Sequence, residues 1–139
     1  MITLPPRRQQ GVALLEALIA ALLLAIGLLG TIGLQARAYS ALSDAGMRSE
    51  ATIAAERLIG VMTTDTGNLG DYQLAAGGQP GARLLAWYTA TRKSIPGATV
   101  TVTVTAGANA TAPSEVSITI GWQRKADAPA NRHAVRAWI

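Results

Sequence analysis

From Val12 to Leu34 the chain runs for 23 residues with a single charge, Glu16, and from Ala17 to Leu34 with none. A helix of that length rises about 34 Å at ~1.5 Å per residue, enough to cross a hydrocarbon core of roughly 30 Å. No proline interrupts the run, and Leu, Ala and Ile dominate it, which suits a helix. Arg7 and Arg8, in a short polar leader that also holds Pro5 and Pro6, stand directly ahead of it. Two cations on that flank predict an N-terminus kept in the cytoplasm, with the remainder across the membrane. Gly27, Gly30 and Gly33 recur at spacing three and fall roughly on one face. They read either as close helix packing or a local soft spot, or as ordinary glycine use in a membrane helix.

Composition sharpens this. Half of the 139 residues are hydrophobic and 14% are charged, against about 25% in an average soluble domain. A disordered or acidic-tail protein is excluded. Seventeen of the 20 charges lie in the 105 residues from Gln35 onward, about 16%, so the apolar run explains only part of the deficit. The rest comes from a region rich in Ala, Gly and Thr.

Past Leu34 the helical pattern continues. Met47, Ala51, Ala54, Leu58 and Val61 follow a 4-3-4-3 spacing, with Arg37, Arg48, Glu50, Glu56 and Arg57 on other faces. One long helix is expected from about residue 13 to about 62, half apolar and half amphipathic. It ends where Thr, Asp and Gly accumulate near Thr63–Gly67. Residues 67–82 hold five glycines and Pro80 and read as a loop. Arg83–Lys93 reads as a short helix with Leu84, Leu85, Trp87 and Tyr88 toward a core, closed by Ile95-Pro96-Gly97. Val100, Val102 and Val104 alternate with Thr99, Thr101, Thr103 and Thr105, the mark of a half-buried strand. Val116, Ile118, Ile120 and Trp122 give a second strand, and His133–Ile139 a third. Short connections favour an antiparallel meander packed on the soluble half of the long helix. The expected fold class is therefore α+β. Its parts are a leader at 1–11, a transmembrane segment at 12–34, and a soluble helical half at 35–66. A loop and short helix follow at 67–97, and a meander at 98–139.

Three readings compete for Gly11-Val12-Ala13-Leu14-Leu15-Glu16 and the apolar run behind it. A secretory signal peptide fits the basic flank, but its apolar core runs about 7–15 residues, shorter than this one. A generic membrane anchor makes Glu16 an accident near the interface, where a charge costs less than at the bilayer centre. In the third reading, the segment resembles the class III signal of type IV pilins and pseudopilins. That signal is a short basic leader, a glycine, and a glutamate as the fifth mature residue. Counted from Val12, the fifth residue is Glu16. Val12 stands where the family usually has Phe.

The resemblance implies cleavage between Gly11 and Val12 by a prepilin peptidase on the cytoplasmic side, N-methylation of Val12, and retention of the helix in the mature protein. It also implies that Glu16 pairs with the Val12 amine of a neighbouring subunit, because a lone intramembrane carboxylate needs a partner. Removal of Arg7 and Arg8 leaves 10 basic and 8 acidic residues, a net charge of +2 in place of +4. That weakens any case for a nucleic-acid partner.

Leu14-Leu15-Glu16-Ala17-Leu18-Ile19-Ala20-Ala21, then Ile26-Gly27-Leu28-Leu29-Gly30 and Gly33-Leu34-Gln35, look like the N-terminus of PilV-type minor pilins. This implies a non-catalytic protein of the inner membrane that joins a fibre and primes or modifies its assembly. The implied partners are other minor and major pilins, the inner-membrane assembly platform, the lipid bilayer and a tip adhesin. A pseudopilin of a type II secretion system shares the same signal. A membrane-anchored periplasmic binding domain without a fibre is the alternative from another class.

The remaining chemistry-bearing residues read as structural. Cysteine is absent, and no nucleophile-elbow, zinc-protease or phosphate-loop pattern occurs. His133, between Arg132 and Arg136, reads as a solvated strand residue, and no cofactor or metal is expected. Asp65 and Asp71 flank a glycine-bearing loop but supply too few oxygens for calcium. Arg92-Lys93 and Arg124-Lys125 read as solubilising pairs. Trp87, Trp122 and Trp138 read as core or sheet anchors, with an interface role open for the last. The threonine faces at Thr99–Thr105 and Thr119 read either as a wet surface or as an edge that pairs with a neighbour.

Overall fold

In a computed structural model, residues 10–109, 111–123 and 129–139 are described. Arg7, Arg8, Arg124 and Lys125 lie outside the described residues, as does most of the leader. The order is α1 (Gln10–Thr64), a 3-10 helix (Thr66–Tyr72), α2 (Ala82–Ser94), β1 (Thr99–Thr105), β2 (Glu115–Trp122) and β3 (Asn131–Trp138). The chain divides into two compact units, one ending at Ser43 and the other spanning Asp44–Ile139.

In the first unit, α1 carries no polar interruption after Glu16 until Thr31, whose hydroxyl donates to the Leu28 carbonyl at 2.8 Å. That bond removes the unpaired donor a threonine would otherwise present on an apolar helix.

In the second unit, the rest of α1 packs on a three-stranded antiparallel sheet of order β1-β2-β3. Register runs Val102↔Ile118 between the first pair and Ile118↔Val135 between the second. Alternation does the sorting: Val100 and Val102 of β1, and Val116, Ile118, Ile120 and Trp122 of β2, are buried against the helix. Thr99, Thr103 and Thr105 face solvent, and Thr101 and Thr119 are half-buried. One wet face is the usual state of an antiparallel sheet.

The helix stripe differs from the spacing read off the sequence. Ala51, Ala55, Leu58 and Met62 are buried, Met47 and Ala54 half-buried, and Val61 is 47% exposed. The 4-3-4-3 alternation keeps to a seam with a 3.5-residue period, whereas a straight helix turns once per 3.6 residues. By the last turn that drift has brought Met62 inward and Val61 outward.

Residues 66–72 are not the plain loop expected from their glycines. They form a 3-10 helix that buries Leu69 and Tyr72. Leu74 then meets β1, exchanging backbone hydrogen bonds with Val102 at 2.9 Å each. In α2, Leu84 is buried and Trp87 and Tyr88 half-buried, but Leu85 is exposed, because one turn of helix cannot bring four side chains to one face. After α2, Ala98 N–H donates to the Ile95 carbonyl at 3.1 Å across Pro96-Gly97, with Gly97 at φ +76°. This is a type II turn, with proline and glycine where each is favoured.

Candidate functional site

The residues singled out from the sequence cluster at the start of α1. Val12 and Glu16 are four apart in a continuous helix and so lie one above the other on one face. They flank a shallow surface with Leu15, Ile19, Ala20 and Leu23. From Val12 to Leu34 all thirteen large apolar side chains are between 48% and 74% exposed. None of the most apolar eighteen-residue stretch is buried within the protein. Exposed apolar surface on this scale marks a membrane or protein contact. Gly27, Gly30 and Gly33 have no side-chain neighbour within 4 Å of where a Cβ would sit. Their missing side chains therefore leave open notches on the helix surface.

The second polar cluster lies just past the end of α1. Asp65 accepts three hydrogen bonds, from Asn68 Nδ2 at 2.6 Å, Tyr72 OH at 2.8 Å and Arg83 Nη1 at 2.7 Å. Arg83 Nε donates to Asp71 at 3.0 Å, so one guanidinium ties both aspartates to the start of α2. The Asn68 and Tyr72 bonds, with Arg83 adding to them, hold the Asp65 carboxyl below its ordinary value against the opposing effect of burial. Burial first, and then the bond to Asp65, push the Tyr72 hydroxyl above its ordinary value. The sequence showed both aspartates but not their common partner, twelve and eighteen residues away. The cluster pins the connection between α1 and α2 and holds no reactive group in a cleft.

Trp87 also was only half legible. Its Nε1–H donates to the Ala54 carbonyl at 2.8 Å, fastening α2 to α1. Trp122 is buried at the end of β2, and Trp138 is 65% exposed, so it does not anchor the core. His133 is half-buried in β3 opposite Ile120. Arg92 lies 5.7 Å from the centre of the Tyr88 ring, and with Lys93 it occupies the last turn of α2, where cations suit the helix dipole.

The chain thus combines an apolar, uncovered helix long enough to cross a membrane with a small α+β unit. Residues 6–32 match the family model described as the prokaryotic N-terminal methylation motif. The motif indicates a type IV pilin-like or pseudopilin protein. Together with the apolar helix near the N-terminus, it fits an inner-membrane anchor. Neither the curated proteins nor the solved structures yield a match to this chain.

Proposed function

We propose that the protein is a minor pilin of the PilV type, which joins a type IV pilus through α1 and primes or modifies its assembly. A prepilin peptidase cuts between Gly11 and Val12, and Val12 is then N-methylated. Before assembly the helix spans the inner membrane, with its N-terminus cytoplasmic and the head periplasmic. In the fibre the same helix packs among the helices of other minor and major pilins.

The observation that carries this reading is the pairing of an uncovered apolar helix with Glu16 on the face of Val12. An ionised carboxylate within a bilayer is costly and calls for an opposite charge. The new amine at Val12 supplies one. Within a subunit it lies about 6 Å below Glu16 along the helix axis. Between subunits, one helix shifted along its neighbour brings amine and carboxylate together and fixes the axial register. The role is structural and involves no catalysis. The assembly platform and a tip adhesin are the further partners this role implies, and nucleic acid is not among them.

The test is Glu16→Gln, which keeps size and removes charge. Membrane insertion of the variant should be unchanged, while its recovery in sheared fibres should fall well below wild type. Equal recovery in fibres contradicts the role given to Glu16. A pseudopilin of a type II secretion system carries the same motif. Deletion separates the two machines: a minor pilin abolishes or reduces surface fibres, and a pseudopilin blocks release of folded proteins.

A further inference from the structure

The two edges of the sheet are unlike. On β1 the outward backbone groups of Val102 are taken by Leu74. On β3 no described residue pairs with the outer edge. The direction of its backbone groups follows from one pair. Ser114 and Ile139 exchange both backbone bonds, at 2.7 and 2.9 Å, which makes them a hydrogen-bonded pair. Antiparallel pairs alternate, so the odd-numbered residues of β3 bond to β2. The N–H and C=O groups of Arg132, Ala134, Arg136 and Trp138 therefore point outward from the sheet. The same four residues carry the exposed side chains of the strand. The open edge and its side chains thus offer one strip with two arginines, an exposed tryptophan and no acid of its own. Glu115 of β2, 3.6 Å from Arg136, is the carboxylate that reaches it.

We propose that the outer edge of β3 is a docking site for an extended segment of a partner protein, added as a fourth strand, with carboxylates at alternate positions facing Arg132 and Arg136. The backbone groups supply the pairing and the arginines the selectivity, as in other strand additions. A second copy of β3 is the poorer occupant. An antiparallel self-pair matches even-numbered residues with even-numbered ones. Every such register centred between residues 131 and 137 sets an arginine of one copy directly or diagonally opposite an arginine of the other, and like charges so placed are destabilising. The proposal stands apart from the fibre reading, because it concerns the head and not the helix.

The full chain in detergent micelles is titrated into a dye-labelled eight-residue peptide of alternating valine and glutamate, followed by fluorescence anisotropy. Saturable binding is expected. Methylating alternate backbone nitrogens of the peptide should abolish it, and so should lysine in place of glutamate. The double variant Arg132→Glu/Arg136→Glu should weaken binding by about tenfold or more, since two attractive cross-strand pairs become repulsive. Ala134→Pro should block the edge while leaving the fold intact, because the N–H it removes does not bond β2. The charge variant lies on the exposed face and keeps the test open should the proline disturb the strand. Binding that survives backbone methylation overturns strand addition. Absence of saturable binding at millimolar peptide overturns the proposal and leaves the arginines as guards of a bare edge. Dimerisation of the chain that Ala134→Pro abolishes overturns it in favour of a second copy.

Discussion

Met62→Ala and Val61→Ala form an adjacent pair of substitutions that the fold separates sharply. Met62 is fully buried between α1 and the sheet, whereas Val61 is 47% exposed. Truncating a buried Met leaves a cavity and costs about 2–5 kcal/mol. Truncating Val61 removes two half-wet methyl groups and gives the helix a better helix former, worth up to about 0.7 kcal/mol in return; the net change should lie within about 0.5 kcal/mol. For a folded unit of this size each kcal/mol moves Tm by about 4–8 °C. At about 3 kcal/mol, Met62→Ala should then lower Tm by roughly 12–24 °C, while Val61→Ala shifts it by no more than about 4 °C. Thermal unfolding of the full chain in detergent, followed by tryptophan fluorescence, reads both. Equal losses at the two positions, or a larger one at Val61, refute the helix phase described above.

Four further outcomes are expected. Asp65 has a lowered folded-state pKa, so its contribution is present above the unfolded carboxylate value of about 3.9 and is lost as pH falls through the folded value. The acid side of the Tm–pH profile should flatten in Asp65→Asn. Tyr72 has a raised folded-state pKa, so its contribution is complete below about pH 10 and is lost as pH rises through the folded value; Tyr72→Phe should remove that alkaline loss. Trp87→Phe deletes the bond to the Ala54 carbonyl and should cost about 1 kcal/mol, a fall in Tm of about 4–8 °C. Gly97→Ala meets no neighbour within 4 Å, yet it forces a side chain into the left-handed region at φ +76°; a loss of about 1–2 kcal/mol in the same unfolding assay checks it.

Much of this architecture could be read from local patterning. The Val-Thr alternation of residues 99–105 and the Val116–Trp122 run specify strands and their buried faces, because the period of two is a property of each strand alone. Ile95-Pro96-Gly97 specifies its turn, since proline and glycine each impose a backbone angle. What escaped the sequence depends on contacts between distant segments. The burial of Leu69 and Tyr72 follows from the meeting of Asp65, Asn68, Tyr72 and Arg83. The capping of β1 by Leu74 and the open edge of β3 follow from strand order. The drift from Val61 to Met62 accumulates over turns of helix. The N-terminal motif was legible for the opposite reason. A carboxylate four residues after a candidate N-terminus, followed by an uncharged run, carries its chemistry in the spacing itself.

Mass spectrometry of the N-terminal peptide of the protein recovered from membranes or fibres decides whether that spacing is used. A mature chain that begins at methylated Val12 is the expected result. A chain that retains Met1, or one cut beyond Leu34 so that Glu16 and the apolar helix are lost, contradicts the processing and assembly proposed for it.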